Sequence, residues 1–216
     1  VAEQVMAYIL YFARRVDLQS ADMHDHSWNS RLMPGAKNRT LGLVGFGGIG
    51  TEVAKRAVPF GMKVIYFCRH PNPADDAAYG VQSVSMEELL KESDYVVAAV
   101  PLTDQTFHLF NEECIAQMKA GSVLINIARG PVVDEEALAQ ALASGHLGGC
   151  AVDVFPKEPC TDSVLTRYSN ALLTPHSATS TAENSKATNF AAANNLVNYL
   201  KKDIDAKYVV VQGTRY

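Results

Sequence analysis

An arginine follows directly on an apolar stretch in residues 121–136, which read GSVLINIARGPVVDEE. Residues 122–127 (SVLINI) have the composition of a buried strand, and Arg129 stands just beyond its end. A charged side chain is costly to bury unless it is paired. Arg129 therefore reaches solvent, satisfies backbone carbonyls after the strand, or faces an anion. The rest of the chain has to decide between these roles.

Glu158 and His176 are two further side chains whose types suit chemistry at strand ends. They come shortly after the apolar runs GCAVDV at 149–154 and ALLT at 171–174. An imidazole exchanges a proton near neutral pH, and a carboxylate beside it fixes its tautomer. Considered alone, Glu158 lies next to a lysine and would usually be a surface residue. A single histidine such as His176 more often has a structural role. Together with Arg129, at the strand ends of one sheet, they favour a catalytic set.

A glycine-rich turn lies near residue 45, where residues 41–50 read LGLVGFGGIG. Gly45, Gly47 and Gly50 match G-x-G-x-x-G between a predicted strand and a predicted helix. In that context the first glycine permits a tight turn, the second admits a pyrophosphate, and the third packs helix against strand. The helix N-terminus adds free N–H groups and a partial positive charge. The segment predicts a dinucleotide site.

The end of the second predicted strand bears on which dinucleotide is preferred. After KVIYF at 63–67 come Cys68, Arg69 and His70, so a cysteine stands where an acidic residue would hold the ribose hydroxyls of NAD. An arginine pairs with a 2′-phosphate, which a carboxylate would repel. We therefore predict that NADP(H) is favoured and NAD(H) possible; the alternative is that Arg69 is a solvated loop residue.

Alternation of strands and helices predicts the fold class. Apolar runs occur at 40–45, 63–67, 95–100, 122–127, 149–154 and 171–174, with a shorter possible strand at 81–84. Helical patterns occur between them, at 49–60, 85–92, 111–118 and 134–144. Continuous apolar strands alternating with helices indicate an α/β domain built on a doubly wound parallel sheet. Ligands of such sheets bind at the carboxyl ends of the strands, which is where Arg129 lies.

The two ends of the chain differ from this pattern. Residues 2–16 predict a helix with an apolar stripe of Val5, Ile9, Phe12 and Val16, followed by a polar, irregular segment over 17–39. The run HDH at 24–26 suggests a metal site, but its setting favours a solvated loop, and no metal is expected. Trp28 is expected to pack, in the chain or at a subunit contact.

The last helix is predicted over about 181–200 and opens with Ser180 and Glu183 at capping-box spacing. The tail is predicted to add a short strand, YVVV. The predicted organisation is a linking helix over 1–16, a dinucleotide-binding domain over 17–178, and a hinge helix with tail over 179–216.

Composition excludes several classes of protein. The chain has 216 residues, 48% hydrophobic, with a net charge of −4 and no dense basic run, which argues against a nucleic-acid or membrane-surface partner. No apolar run approaches the length of a membrane span. The four cysteines form no C-x-x-C pair and are expected to be reduced thiols of a cytoplasmic protein.

With these motifs the chain resembles the D-isomer-specific 2-hydroxyacid dehydrogenase family. Within that family it is most similar to the glyoxylate and hydroxypyruvate reductases. The segments that carry the resemblance run through the chain: GFGGIG, AVPLTDQT at 99–106, MKAGSVLINIARGPVVDEEAL at 118–138, GGCAVDVFPKEP at 148–159 and LLTPHSATST at 172–181. The resemblance implies hydride transfer between a nicotinamide cofactor and a small 2-oxo acid, with Arg129, Glu158 and His176 as catalytic residues. Arg129 would then face the substrate carboxylate, which answers the question of its role.

The resemblance further implies the residues around the cofactor. Asp153 would hold the nicotinamide carboxamide, and Pro101 and Thr106 would line the cleft. The complete predicted cofactor set is Gly45, Phe46, Gly47, Gly48, Ile49, Gly50, Cys68, Arg69, His70, Val100, Pro101, Thr106, Ile127, Ala128, Asp153, His176 and Ala178.

Family members also carry about a hundred further residues of substrate-binding domain before the segment that matches Val1, so we expect a piece to be missing and activity to be low. A homodimer built on residues 1–39 is implied as well. Three alternatives stay open: a phosphoglycerate, D-lactate or phosphite dehydrogenase of the same family, a non-catalytic dinucleotide sensor similar to the family's corepressors, and a module that only dimerises and binds cofactor.

Overall fold

A computed structural model describes residues 1–201, 203 and 205. Its centre is a seven-stranded parallel sheet in the order β3-β2-β1-β4-β5-β6-β7. The strands are β1 (Thr40–Val44), β2 (Lys63–Phe67), β3 (Gln82–Ser83), β4 (Tyr95–Ala98), β5 (Val123–Asn126), β6 (Gly149–Val152) and β7 (Ala171–Leu173). The α-helices are α1 (Ala2–Arg14), α2 (Val16–His24), α3 (Gly48–Ala57), α4 (Pro73–Tyr79), α5 (Met86–Glu92), α6 (Glu112–Ala116), α7 (Glu135–Ala143) and α8 (Ala182–Leu200). The predicted α/β class with a doubly wound parallel sheet is confirmed.

The central strands are apolar throughout because both faces of the sheet are covered. All four residues of β4 are buried, and Val96 and Val97, which point to opposite faces, belong to two separate hydrophobic clusters. Helix α1 contributes Val5 and Ile9 to one of these clusters. Helix α7 contributes to the other. The sheet is therefore a rigid layer between two cores, and its carboxyl edge is a fixed platform for a site.

The position of that site follows from the strand order. The chain runs outward from β1 through β2 to β3 and then returns to β4, which pairs with β1 on its other side. The connections that leave β1 and β4 therefore go in opposite directions and leave a crevice between them at the carboxyl edge.

The first helix is shorter than the apolar stripe suggests. Arg15 has a left-handed backbone (φ 42°) and ends α1, so that a second helix, α2, begins at Val16. Val16 is 61% exposed, and its predicted place in the stripe is wrong. The prediction of an irregular segment from residue 17 is also wrong as far as His24. None of the residues of α2 is buried, so no apolar periodicity marks this helix in the sequence.

Helix α4 was not predicted either, although the sequence holds its signals. The Asn72 side chain caps the helix by accepting a hydrogen bond from Ala74 N (3.2 Å), and a proline occupies the first turn. Trp28 is 86% exposed, so the expectation that it packs within this chain is wrong, and only the subunit contact stays open.

The chain divides into two compact units, residues 1–178 and 179–216. In the second unit, helix α8 is capped by Thr181, whose hydroxyl accepts from Asn184 N (3.1 Å), one position later than the predicted capping box. The predicted tail strand lies outside the described residues. No helix of the described part of the chain combines the length and the apolarity that a membrane crossing needs.

Candidate active site

The glycine turn between β1 and α3 is closely packed on one side. Gly45 has φ +101°, and a Cβ there would lie 2.4 Å from Ala99 O. A Cβ at Gly50 would lie 2.7 Å from Gly45 O. Only glycine fits either position, the first for its backbone and both for the close approach. These contacts bring the start of α3 against the ends of β1 and β4.

The other side of the same turn is open. Gly47 is the residue before α3 and has no side-chain cap, and a Cβ added to Gly47 or Gly48 would meet nothing within 4 Å. The first N–H groups of a helix have no partner within the helix and carry a partial positive charge. The turn therefore offers free donors, without side chains in the way, to an anionic group such as a pyrophosphate.

A cleft of about 450 Å³ continues from this turn across the carboxyl edge. Three of its lining residues are Ala99, Leu102 and Arg129. The other five were predicted at the cofactor: Ile49, Val100, Pro101, Ile127 and Ala128. Thr106 does not line the cleft; its hydroxyl donates to Pro101 O (2.6 Å) and so holds the loop that forms one wall. Ala99 and Leu102 flank predicted residues but were not themselves predicted.

The residues predicted to set the cofactor preference lie at the end of β2, and one predicted neighbour, Phe46, is engaged elsewhere. Arg69 and His70 are exposed, and Arg69 Nη1 lies 3.5 Å from Gln105 Oε1 across the crevice. Cys68 is half-buried. The ring of Phe46 stacks on Tyr66 with centroids 4.1 Å apart. The side chain of Phe46 is therefore half-buried and engaged in packing.

His176 and Glu158 meet at the far side of the same edge. His176 Nδ1 and Glu158 Oε2 are 2.6 Å apart, and the other carboxylate oxygen accepts from Phe155 N (2.9 Å). The second ring nitrogen, Nε2, makes no hydrogen bond within the described residues. An imidazole held at one nitrogen presents the other in a fixed direction, as a proton donor requires.

Ionisation of Glu158 maintains this pair. The hydrogen bond from His176, the bond from Phe155 and the positive charge of Arg129 hold the pKa of Glu158 below its ordinary value. A carboxyl group with a lowered pKa stays charged above its ordinary pKa and loses its charge only as the pH falls through the lowered value. The pair is therefore intact at neutral pH.

Arg129 lies in the cleft at the end of β5, in a turn that a buried asparagine holds. Asn126 donates to Arg129 O (3.1 Å) and accepts from Ala128 N (3.1 Å). The guanidinium donates from Nη1 to Ala128 O (2.7 Å) and is exposed. Thus Arg129 does satisfy one backbone carbonyl, but its other N–H groups have no hydrogen bond in the described part of the chain. They are available to an anion.

Asp153 is more deeply placed than its predicted role suggests. It is 1% exposed, and its carboxylate accepts from Thr174 Oγ1 (2.5 Å), Ser177 N (2.8 Å) and Ala178 N (2.9 Å). A carboxylate has about four acceptor sites, which leaves one for the predicted bond to the nicotinamide carboxamide. Ala178, also predicted at the cofactor, is here a buried donor to Asp153.

Gly130 joins the arginine turn to the segment that carries Glu158. A Cβ at Gly130 would lie 2.0 Å from Phe155 C and 2.2 Å from Pro156 N, both main-chain atoms. We expect Gly130→Ala to lower the free energy of unfolding by about 1–3 kcal/mol, because main chain has to move apart. Urea unfolding measures this change. Gly48→Ala, where a Cβ has open space, is the matched control and should cost almost nothing; equal losses in both variants would contradict the argument.

Comparison with known proteins agrees with this fold. A doubly wound parallel sheet with an open glycine turn at its carboxyl edge defines a dinucleotide-binding domain. Residues 6–178 match the model of the D-isomer specific 2-hydroxyacid dehydrogenase, NAD binding domain, and the chain belongs to this family. The resemblance stated from the sequence is confirmed, as is a nicotinamide-binding domain.

Named relatives share most of this chain. A glyoxylate reductase of Thermococcus litoralis is 38% identical over 217 residues, covering 96% of this chain and 66% of the relative. A hydroxypyruvate reductase of Thermotoga maritima is 41% identical over 189 residues, covering 85% and 60%. The structure of Aquifex aeolicus D-lactate dehydrogenase complexed with NAD and lactic acid superposes with a TM-score of 0.86 at 31% identity, covering 94% of this chain and 66% of that one. The chain thus spans 60% to 66% of the length of these relatives.

Proposed function

We propose that this chain forms the cofactor-binding and proton-donating part of an NADP(H)-preferring reductase of small 2-oxo acids, with glyoxylate and hydroxypyruvate as first candidates. One observation carries the proposal: the 2.6 Å pair of His176 with Glu158 lies on the same sheet edge as the unpaired guanidinium edge of Arg129 and the open glycine turn. The two reductases named above support the substrate class. Phosphoglycerate, D-lactate and phosphite remain the alternative substrates.

Each side chain of the set has a defined task in reducing a 2-oxo acid. When bound, the nicotinamide supplies a hydride to C2 of the substrate. Arg129 binds the substrate carboxylate through its free N–H groups and stabilises the negative charge that develops on the carbonyl oxygen. His176 donates a proton from Nε2 to that oxygen, which completes the 2-hydroxy acid. Glu158 holds Nδ1 and stabilises the protonated ring before transfer.

The preference for NADP(H) rests on the end of β2. Arg69 is exposed, and apart from the long bond from Nη1 to Gln105 Oε1 (3.5 Å) its guanidinium has no hydrogen bond within the described residues. It can therefore pair with a 2′-phosphate, and no carboxylate occupies position 68. We expect Cys68→Asp to lower the NADPH-over-NADH affinity ratio by about tenfold, because the new charge repels the phosphate and accepts from ribose hydroxyls. Cofactor titrations of both proteins measure the ratio. Cys68→Ser is the control that keeps size without charge, and an unchanged ratio in the aspartate variant would reject the assignment.

The proposal extends to a homodimer in a reducing, cytoplasmic setting. Met23, Trp28 and Leu32 are exposed large hydrophobic side chains within residues 1–39, as a subunit contact needs. All four cysteines are free thiols. Sedimentation at several concentrations, with Trp28→Ser as the variant, tests the dimer.

The central test has two stages. This chain is titrated with NADPH and NADH, and the complete polypeptide that contains it is then assayed with glyoxylate, hydroxypyruvate, phosphoglycerate and pyruvate. We expect tighter NADPH binding and the fastest reduction of glyoxylate or hydroxypyruvate. Binding without any reduction, under conditions where a family reductase is active, would favour the sensor alternative.

A further inference from the structure

A line of polar side chains, with Tyr8 and Asp153 buried and Thr174 half-buried between them, connects helix α1 to the segment that carries His176. Tyr8 is 1% exposed, and its hydroxyl lies 2.5 Å from Thr174 Oγ1, which in turn lies 2.5 Å from Asp153 Oδ1. Asp153 continues the line to the main-chain N–H groups of Ser177 and Ala178. None of the three side chains takes part in the reaction described above through Arg129, Glu158 and His176.

The direction of the hydrogen bonds follows from counting protons. A threonine hydroxyl has one proton, and Thr174 donates it to Asp153 Oδ1. The Tyr8 hydroxyl must then donate to Thr174. Burial raises the pKa of Tyr8, which keeps its proton in place. The line runs in one direction, from Tyr8 to Thr174 to Asp153.

The backbone at the end of this line needs support. His176 has φ +50°, in the left-handed region that residues other than glycine adopt infrequently. Its N–H donates to Asp153 O (2.7 Å), and the next two N–H groups donate to the Asp153 carboxylate. Such a conformation persists only where the surroundings determine it. Asp153 supplies those contacts, and Thr174 and Tyr8 determine where its carboxylate points.

A purely space-filling role does not explain the polar atoms. Phenylalanine at position 8 and valine at position 174 would fill the same volume without any hydroxyl to satisfy, and buried polar groups are costly unless paired. The hydroxyls are useful where a specific arrangement has to be held, because each restricts the orientation of the next.

We propose that Tyr8 and Thr174 are positioning residues that hold segment 174–178, and with it the left-handed backbone of His176 and its bond to Glu158. The effect on catalysis rests on the proposed function. The effect on the segment does not, since it concerns hydrogen bonds of this chain alone. The two can therefore be tested separately.

Amide hydrogen exchange of the isotope-labelled chain tests the positioning role. We expect Thr174→Val to speed exchange of the Ser177 and Ala178 amides by about tenfold, the effect of weakening one hydrogen-bonded contact to Asp153. Thr174→Ser, which keeps the hydroxyl, should restore slow exchange. The Leu124 amide in β5 serves as an internal reference. Unchanged exchange at both amides in the valine variant would overturn the proposal.

A double-variant comparison tests whether Tyr8 acts through Thr174. Tyr8→Phe alone should speed exchange at the same two amides by a few-fold and add nothing in the Thr174→Val background, because the line is already broken there. Tyr11→Phe, on the same helix, is the matched control and should leave these amides unchanged. Additive effects of the two changes would show independent roles and contradict a connected line.

The catalytic consequence is measured in the complete polypeptide. We expect Tyr8→Phe and Thr174→Val to lower kcat by about tenfold while KM for the 2-oxo acid changes less than twofold, because the proton donor is misplaced and the carboxylate site is intact. If a variant loses kcat because the protein unfolds, exchange of the Leu124 amide should also become faster. That result would count against a positioning role. If the unaltered protein reduces no 2-oxo acid, the proposed function fails and exchange alone decides this proposal.

Discussion

Replacing His176 with asparagine should lower kcat for 2-oxo acid reduction by about a thousandfold, within the range that a positioned general acid contributes. The reason lies in the geometry of the ring. Glu158 holds Nδ1 at 2.6 Å, which leaves Nε2 to deliver the proton. An asparagine amide donates a hydrogen bond but cannot give up a proton near neutral pH. The Kd for NADPH should change less than about threefold, because in the proposed site the glycine turn, and not the ring, binds the pyrophosphate.

Asparagine is chosen because it tolerates the left-handed backbone of His176 (φ 50°). His26 is also left-handed (φ 58°), so His26→Asn repeats the same substitution at an exposed position on the same kind of backbone and should keep kcat unchanged. Steady-state kinetics and a fluorescence titration give kcat and Kd. If His176→Asn loses cofactor binding as strongly as kcat, the residue is structural and the proton-donor role is wrong.

The strands could be predicted because both faces of the sheet are buried, and a strand buried on both faces is a continuous apolar run in the sequence. Residues such as Val96 and Val97 are both buried although they point to opposite faces, so the strand reads as a continuous apolar run. Helix α2 left no such signal, since none of its residues is buried and its start depends on the left-handed Arg15. Local patterns therefore reveal elements that face a core and miss those that do not.

The same reasoning applies to the site. The glycine turn and the residues at strand ends follow from the strand order, because parallel strands bring their carboxyl ends to one edge. Contacts that are distant in sequence do not follow. Tyr8 and Thr174 are 166 positions apart, and neither has a type or spacing that indicates a partner. The close approach of Gly130 to the main chain at Phe155 is likewise a property of packed loops.

Replacing Arg129 with lysine should lower kcat/KM for the 2-oxo acid by about a hundredfold and change the Kd for NADPH much less, since charge-assisted hydrogen bonds contribute about 1.5–3 kcal/mol each. Arginine can do two things at once here. Its Nη1 donates to Ala128 O (2.7 Å), which fixes the guanidinium, and the remaining N–H groups form a planar fork that in the proposed site meets the substrate carboxylate. A lysine ammonium keeps the charge but cannot both bond Ala128 O and meet a carboxylate with two parallel bonds.

The charge-preserving substitution separates geometry from electrostatics. A loss confined to kcat/KM for the substrate shows that the fork matters. Arg167→Lys, at an exposed arginine outside the cleft, is the matched control and should leave both constants unchanged. An Arg129→Lys variant that weakens substrate and cofactor equally would mean that the arginine mainly supports the loop after β5. We do not expect that equal loss, because Asn126 already supports the loop. Its side chain bonds Arg129 O and Ala128 N, so the turn is held without the guanidinium.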